Sequence, residues 1–476
     1  MSRSPVGQRG APTWLPGRTT LALLVAAAAA VVALLVPAEG LAPPARSMLA
    51  VFVVAVVLWV TEAVPLYATA ALIILAEVAL VSDEAVVPLP ADFEPPAFSL
   101  FYGALAHPVI MLFLGGFFLA DSAAKVRLDR NLAGVLLKPF ARSNPVLLAG
   151  LMAITALLSM FMSNSATTAA MMAVVVPVTF SLDPDDPFRR GLVLAIPVAA
   201  NVGGMGTPVG TPPNAIAVAR LADDGIAIDF VRWMVLAVPL VIVILAAAWL
   251  TLVRLYPSRS GPVRVDIGGP FERSRPAVII YVVFALTVAG WLTEPLHGVP
   301  ATVVGFFPVA ALLASGVFTV DDLKRLNWHV LWLVAGGIAL GSGVAATGLD
   351  TWLIGLVDWS ALAPGVLVAG LVVLAVALST VISNSATANL LIPLVVSLAA
   401  SSAVDVAPAL VAVVLAVACS LAMALPVSTP PNAIAYATGS IATADLVKVG
   451  GVVGVVGAVL VIWVAPPLWD ALGVLP

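Results

Sequence analysis

One five-residue motif occurs twice in this chain, each time inside a long apolar run. The first copy is Ser163-Asn164-Ser165-Ala166-Thr167 and the second is Ser383-Asn384-Ser385-Ala386-Thr387. A second motif follows each copy, first as Thr211-Pro212-Pro213-Asn214-Ala215-Ile216-Ala217 and then as Thr429-Pro430-Pro431-Asn432-Ala433-Ile434-Ala435. The distance along the chain between the two copies is nearly the same for both motifs. Two unrelated motifs that recur in the same order at nearly the same offset indicate an internal duplication.

Composition places the duplicated chain in a lipid bilayer. Of its 476 residues, 62% are hydrophobic and 10% are charged, whereas a soluble domain carries about 25% charged residues. Apolar runs of about 20 residues recur from Thr19 onward, and each is long enough to cross a bilayer as a helix. The sequence therefore predicts an all-α polytopic membrane protein.

The remaining composition excludes several other classes of protein. The single cysteine, Cys419, rules out an intramolecular disulfide and a cysteine-based metal cluster. His107, His297 and His329 are scattered and form no metal-binding set, so we expect them at loops or interfaces. The basic residues are not interleaved with aromatic residues, so no nucleic-acid partner is predicted.

Polar breaks and loops divide the chain into two related halves. Residues 1–18 form a predicted cytoplasmic tail, 19–255 a first repeat with one extra N-terminal helix, and 256–275 a cytoplasmic linker. Residues 276–476 form the second repeat. Continuous spans are predicted near 19–36, 44–64, 66–82, 104–123, 233–255, 276–293, 300–317, 329–347 and 445–468.

Each repeat also contains two interrupted apolar segments. Residues 145–180, and 363–400 in the second copy, are too long for one span and short for two spans with a loop, which favours a re-entrant hairpin with Ser-Asn-Ser at its tip. Residues 191–222 and 406–439 contain prolines, and in the first copy several glycines, that cannot continue an α-helix. We therefore expect two broken helices.

The positions of Lys and Arg predict the topology. With the N-terminus in the cytoplasm and each hairpin returning to its own side, all Lys and Arg residues except Arg46, Arg220 and Arg232 fall on the cytoplasmic side. The C-terminus then lies outside, and the halves are inverted copies. Inverted repeats with broken helices are typical of secondary transporters, whose site lies near the bilayer midplane.

The interrupted segments predict the kind of ligand. A helix break at membrane depth leaves backbone N–H and C=O groups unpaired, at a cost of several kcal/mol each, unless protein or a ligand satisfies them. Carbonyl, hydroxyl and amide oxygens suit a hard cation such as Na⁺, while N–H groups and helix N-termini suit an anion. No Asp, Glu, Lys, Arg or His lies within the four motif copies, which favours Na⁺ over H⁺ as the coupling ion.

The motifs have three other interpretations. In the first, the Ser-Asn pair does no more than join neighbouring helices by hydrogen bonds, and the Pro-Pro pair does no more than kink a helix. An anion channel would need an open path, which the helix breaks do not favour. An intramembrane hydrolase would use Ser163 or Ser383, but neither has a His, Lys or Asp nearby in sequence, so no enzyme is predicted.

At these residues the chain resembles the divalent-anion/sodium symporter family, which includes sodium-dependent dicarboxylate, citrate and sulfate carriers. The resemblance covers nearly the whole chain. Besides the four motif copies it rests on Trp59-Val60-Thr61-Glu62-Ala63-Val64-Pro65, Phe113-Leu114-Gly115-Gly116-Phe117 and Ala335-Gly336-Gly337-Ile338-Ala339-Leu340-Gly341. It implies about eleven transmembrane helices plus two re-entrant hairpins, in a homodimer whose transport domains move like elevators against a scaffold in the inner membrane.

The resemblance also implies two sodium sites and one anion site. The first sodium site would use Ser159, Ser163, Asn164 and Gly210, and the second Ser379, Ser383, Asn384 and Ser428. The residues implied for substrate binding are Asn164, Ser165, Thr211, Pro212, Ser383, Asn384, Ser385, Thr429 and Pro430. Na⁺ would be the coupling ion, with no other cofactor.

One departure from the family pattern bears on the substrate. Many dicarboxylate carriers of this family have Ser-Asn-Thr at both tips, whereas this chain has Ser-Asn-Ser twice. The hydroxyl is kept and the methyl group is lost, which would make the pocket roomier and wetter. We expect inward symport of small divalent anions, most of all C4-dicarboxylates such as succinate, malate and fumarate. Sodium-independent exchange, citrate transport and sulfate transport are the alternatives.

Overall fold

The computed structural model describes residues 16–35, 38–261, 263, 271–359, 362–401 and 403–475. Most of the predicted tail 1–18 lies outside the described residues, and so do positions 262 and 264–270 of the predicted linker 256–275. The described residues form helices, turns and loops, with no strand among them. This confirms the prediction of an all-helical fold.

Eleven α-helices make up the chain as far as the linker. They are α1 (Pro16–Leu35), α2 (Pro43–Thr61), α3 (Leu66–Val81), α4 (Phe98–Gly103), α5 (Pro108–Lys125), α6 (Leu128–Leu137), α7 (Asn144–Phe161), α8 (Asn164–Phe180), α9 (Phe188–Gly204), α10 (Pro212–Asp223) and α11 (Phe230–Leu255). This count covers only the part of the chain that the structure describes.

The described residues after the linker form twelve more α-helices. They are α12 (Arg275–Leu292), α13 (Glu294–His297), α14 (Ala301–Ala314), α15 (Val320–Arg325), α16 (Trp328–Ala346), α17 (Leu349–Gly355), α18 (Pro364–Val381), α19 (Asn384–Ala400), α20 (Pro408–Ser420), α21 (Pro430–Tyr436), α22 (Thr443–Val459) and α23 (Ala465–Leu472). A π-helical turn, Leu460–Val464, joins the last two.

Eight helical segments in the described ranges are long and apolar enough to cross a membrane, and six shorter apolar helices of 10–17 residues accompany them. The short set includes α8 and α19, each of which is one arm of a hairpin, and α20, which is one part of an interrupted helix. With so many apolar segments in one chain, the protein is a multi-pass membrane protein.

The predicted span 104–123 differs from the helix observed there. Helix α5 begins only at Pro108, after a short 3₁₀ turn over Ala104–Ala106. Proline suits the first turn of a helix because its missing N–H would have no partner there. The preceding residue, His107, accepts a hydrogen bond on Nδ1 from the Val109 amide at 3.3 Å, so its side chain caps the helix.

The helices form two packed groups. The first group holds the interrupted segments, in which α7 packs on α9, α19 on α20, and α21 on both α8 and α9; α11 and α22 complete it. In the second group α3 packs on α2 and α16, and α14 packs on α5 and α12. The groups meet where α16 contacts α10 and α19, and where α5 contacts α10.

Paired glycines allow close helix approach at several of these contacts. A Cβ added to Gly115 of α5 would lie 1.7 Å from the Gly305 carbonyl oxygen of α14, and one added to Gly336 of α16 would lie 2.3 Å from Ala70 Cβ of α3. The neighbouring Gly337 faces Asn389 of α19 instead. Asn389 Nδ2 donates to the Leu333 carbonyl of α16 at 2.9 Å, so this hydrogen bond joins the two groups.

The chain after α11 is fastened to the first group by two polar side chains. Asp186, in the loop before α9, accepts hydrogen bonds from the Arg259 amide (3.1 Å), the Ser260 amide (2.9 Å) and Ser260 Oγ (2.6 Å). Asn144 accepts from the Val263 amide at 2.8 Å and donates to the Gly261 carbonyl at 3.1 Å. The start of the linker is therefore held against the ends of α7 and α9.

These contacts also lower the pKa of the Asp186 carboxyl group. Burial alone would raise this pKa, but the hydrogen bonds from Ser260 and from the amides of Phe188, Arg259 and Ser260 outweigh it. A carboxyl group with a lowered folded-state pKa stabilises the fold above its unfolded pKa. That contribution is lost as the pH falls through the folded value.

We expect Asp186→Asn to release the start of the linker. The variant loses the charge that strengthens three hydrogen bonds, each worth about 1.5–3 kcal/mol when one partner is ionised. Tryptic cleavage after the exposed Arg259 should then be at least about fivefold faster, because cleavage follows the population of the open form. Asp183→Asn, at an exposed loop position, is the matched control, and equal cleavage rates in both variants would contradict the prediction.

Candidate functional site: a polar cavity between two hairpins and two broken helices

The two Ser-Asn-Ser motifs form the tips of two helical hairpins. Helix α7 ends at Phe161 and α8 begins at Asn164, while α18 ends at Val381 and α19 begins at Asn384. At both tips the first serine of the motif is the N-cap: Ser163 Oγ accepts from the Ala166 amide and Ser383 Oγ from the Ala386 amide, each at 3.2 Å. The positive ends of two helix dipoles thus lie at the tips.

The two Thr-Pro-Pro-Asn motifs restart the broken helices. Prolines occupy the first positions of α10 and α21, where no amide hydrogen is needed. Asn214 Nδ2 lies 2.8–3.2 Å from the carbonyl oxygens of Gly204, Met205 and Thr207, which the break leaves without helical partners. Asn432 Nδ2 does the same for Met423 (2.8 Å) and Leu425 (2.9 Å). The motif asparagine therefore supplies hydrogen bonds to the interrupted backbone, and at Met205 it shares this role with Trp233 Nε1, which donates to the same carbonyl at 3.0 Å.

A residue that the sequence did not single out joins the two copies. Asn201 of α9 is buried, and its Nδ2 donates to Thr429 Oγ1 at 3.0 Å and to Asn432 Oδ1 at 3.2 Å. The sequence feature that could have identified Asn201 is its position as a single amide side chain in an apolar run, just before the glycine-rich break. When the two copies are aligned on their Thr-Pro-Pro-Asn motifs, the second copy has Cys419 at this position.

One cavity of about 340 Å³ lies where these elements meet. Its lining includes every predicted site residue except Ser159 and Ser379, which are buried behind the hairpin tips. The predicted residues in the wall are Ser163, Asn164, Ser165, Gly210, Thr211, Pro212, Ser383, Asn384, Ser385, Ser428, Thr429 and Pro430. Both copies of both motifs therefore face a single cavity.

The second helix group closes the cavity with a different kind of surface. Leu66 of α3, Phe113 and Phe117 of α5, and Val330 and Leu333 of α16 line this wall. The two phenyl rings pack edge to face, with centroids 5.9 Å apart. Asn327 and His329 are the polar side chains of this wall among the described lining residues, and sequence reasoning missed both.

Polar atoms cluster behind the first hairpin tip. Ser159 Oγ donates to the Ala200 carbonyl at 2.8 Å. The side-chain amide of Asn164 lies against the same atoms, and its nitrogen, when turned toward them, donates to Ser159 Oγ at 2.6 Å, to the Gly210 carbonyl at 3.1 Å and to the Ala200 carbonyl at 3.3 Å. These carbonyl and hydroxyl oxygens, joined by the amide oxygen when the amide is turned over, form the donor set of a hard cation.

The second hairpin tip has the same donor types but leaves more of them without partners. Asn384 Oδ1 is buried and accepts no hydrogen bond. Ser379 Oγ is fully buried without a nitrogen or oxygen partner, beside the Cys419 thiol. Ser428 is buried beside them, with its Oγ donating to the Thr380 carbonyl at 3.1 Å. Buried oxygens without partners are costly, and a bound cation would satisfy them.

The fold and the cavity together define the class of the protein. An apolar bundle of spanning-length helices, with hairpin tips and broken helices converging on one polar cavity, is a membrane transporter. The chain belongs to the sodium:sulfate symporter family, whose transmembrane-region model matches residues 18–475. This confirms the family resemblance in the sequence, and the protein is a transporter rather than an enzyme.

Two relatives are named sodium-dependent dicarboxylate transporter SdcS. The protein from Staphylococcus saprophyticus is 29% identical over 458 residues, which cover 87% of this chain and 85% of the relative. The protein from Staphylococcus aureus strain USA300 is 29% identical over 460 residues, with the same coverage.

Two solved structures share the fold. The YdaH transporter of Alcanivorax borkumensis superposes with a TM-score of 0.53 at 15% identity, covering 86% of this chain and 99% of that one. MtrF of Neisseria gonorrhoeae, a member of a class of antimetabolite efflux pumps, gives a TM-score of 0.50 at 11% identity, covering 89% and 96%. At these identities the likeness concerns the fold alone.

Proposed function

We propose that this protein is a secondary active transporter that couples inward movement of Na⁺ to uptake of small divalent anions, foremost C4-dicarboxylates such as succinate, malate and fumarate. The observation that carries the proposal is the single cavity onto which both copies of both motifs converge. The names of the staphylococcal relatives support sodium coupling and a dicarboxylate substrate.

Two Na⁺ ions would lie behind the hairpin tips. The first would be held by Ser159 and Asn164 with the Gly210 carbonyl, a site at which the Asn164 amide would turn its oxygen toward the ion. The second would be held by Ser379 and Asn384 with Ser428, whose neighbourhood contains unpartnered buried oxygens. Ser163 and Ser383 would contribute at the tips, in addition to capping α8 and α19.

The anion would bind in front of these ions. Its carboxylates would meet Asn164, Ser165, Asn384 and Ser385, with Thr211 and Thr429 beside them. The N-termini of α8 and α19 and the two Na⁺ ions supply positive potential, since the described lining carries no Lys or Arg. The phenyl rings and aliphatic side chains of the opposite wall suit the hydrocarbon part of the substrate.

The helices support the inverted-repeat topology that we propose. Helices α1, α2, α3, α5, α11, α12, α14, α16 and α22, with the two interrupted helices α9–α10 and α20–α21, give eleven crossings of the membrane. The pairs α7–α8 and α18–α19 would be re-entrant hairpins from opposite sides. We place the N-terminus in the cytoplasm and the C-terminus outside.

The two helix groups fit an elevator mechanism. The group that contains the hairpins would move as the transport domain, and the other group would be the scaffold. A homodimer in the inner membrane, with contact to lipid, follows from the resemblance to the family and completes the proposal.

Uptake of radiolabelled succinate into liposomes containing the purified protein tests the proposed function. An inward Na⁺ gradient should drive uptake above that of a matched K⁺ gradient, because in this proposal Na⁺ is the coupling ion. Uptake that ignores Na⁺ and needs preloaded dicarboxylate would make the protein an exchanger. If succinate is not transported, citrate and sulfate are the next substrates to test under the same gradients.

A further inference from the structure

His329 is the residue of the cavity wall whose side chain can take up a proton. It lies at the start of α16, on the wall that faces the hairpin tips. Among the described lining residues it has the only titratable side chain; the others are apolar, hydroxyl or amide residues, glycine or proline. A neutral imidazole becomes an imidazolium when an anionic partner stabilises the charge, and a carboxylate of a bound dianion would be such a partner.

The imidazole of His329 is not engaged by the rest of the protein. It makes no hydrogen bond or ion pair with any residue that the structure describes, and its side chain is exposed. The other two histidines have partners: His107 pairs with Asp223 at 3.2 Å, and His297 contacts the Gly290 carbonyl at 2.9 Å. His329 is therefore free to contact a molecule in the cavity.

The other charged side chains near α16 lie outside the cavity lining, and several of them form ion pairs. On the helices of the second group that pack against α16, the titratable or charged side chains are Arg46, Tyr67, Glu77, Tyr102, Asp121 and Lys125. Arg220 and Asp223 of α10 and Asp350 of α17 complete this set, and α19 has none. Lys125 pairs with Asp322 and Arg220 with Asp224, both at 2.7 Å, and none of them lines the cavity.

We propose that His329 is a charge-sensing specificity residue for the transported anion. In its protonated form it adds a full positive charge to a wall that otherwise offers only neutral groups to a carboxylate. This favours dianions over monoanions, and more strongly as the pH falls. The inference rests on the proposed function, because it requires that the cavity bind a divalent anion.

The test measures fumarate uptake at matched internal and external pH, from about pH 8 to about pH 5.5, under saturating Na⁺. Fumarate is chosen because both of its carboxyl groups stay ionised over this range, so a change in Km reports on the protein. The Km of the unmodified protein should fall about fivefold toward acidic pH, as a charge pair near 4 Å in water predicts.

Two substitutions should change this profile in different ways. His329→Gln should lose the fall in Km. In this variant, unlabelled fumarate should no longer gain over monomethyl fumarate as an inhibitor of radiolabelled fumarate uptake when the pH is lowered. His329→Lys, with a permanent charge, should show the low Km at every pH. His297→Gln, remote from the cavity wall, is the matched control and should keep the profile of the unmodified protein.

The outcomes separate this inference from the proposed function. A pH profile that is the same in His329→Gln and in the unmodified protein would overturn the role of His329 and leave anion transport standing. Absence of fumarate and succinate uptake by the unmodified protein at every pH would overturn the proposed substrate class, and this inference with it. Variants are compared only when they elute as single species in detergent.

Discussion

Asn214→Ala is expected to destabilise the protein markedly. The substitution removes the side-chain donor that the buried carbonyls of Gly204, Met205 and Thr207 share. Trp233 Nε1 still donates to Met205 at 3.0 Å and the Gly210 amide to Thr207 at 3.3 Å, so the loss falls mainly on the Gly204 carbonyl. An unsatisfied buried polar group costs roughly 1–3 kcal/mol, which is a substantial fraction of the stability of an ordinary protein. The measurement is the apparent melting temperature in detergent, together with the fraction eluting as a single species.

Asn214→Asp separates hydrogen bonding from packing in this experiment. Aspartate has nearly the same shape as asparagine, but when ionised it accepts hydrogen bonds and cannot donate them to carbonyls. We expect it to destabilise the protein at least as much as alanine does. If Asn214→Ala had the melting temperature of the unmodified protein, other donors would have to satisfy the carbonyls of the helix break.

Asn164→Ala and Asn384→Ala are expected to abolish uptake while leaving the fold intact. Each asparagine contributes an amide oxygen to a proposed Na⁺ site and lines the cavity for the anion. Contacts to charged groups are worth about 1.5–3 kcal/mol each, so loss of two contacts should lower Na⁺-driven uptake by about 100-fold or more. Both variants are assayed for succinate uptake under a Na⁺ gradient.

The matched control for these variants lies at the far end of the first hairpin. Ser181 is exposed after α8, and its hydroxyl donates only to the Val178 carbonyl at 2.7 Å, so Ser181→Ala should transport normally. If Asn164→Ala or Asn384→Ala kept most of the Na⁺-driven uptake, the paired sites would not be where we place them. Retained stability in both variants distinguishes this result from unfolding.

The parts of the site that were predictable from sequence are those encoded by local chemistry. Serine before a run of helix formers caps a helix, and two prolines after threonine begin one, so the hairpin tips and restarts could be located from the motifs. The internal duplication then indicated that these segments belong together. Their convergence on one cavity is now a feature of the structure.

The residues that escaped prediction depend on neighbours far away in sequence. Asn201 matters because Thr429 and Asn432 lie beside it, 228 and 231 positions later. His329 is one of three isolated histidines until the fold places it in the cavity wall. Asn389 is a polar residue in an apolar helix until Gly337 leaves room for it. No pattern along the chain contains this information.

The hydrogen bond from Asn389 to Leu333 has a consequence for the energetics of turnover. When the two copies are aligned on their Ser-Asn-Ser motifs, the position equivalent to Asn389 in the first copy is Ala169, which has no side-chain donor. If inward-open and outward-open forms interchange the roles of the two copies, this bond can exist in only one of them. The bond then stabilises one form relative to the other without any ligand, and so contributes to a preferred resting side of the empty carrier.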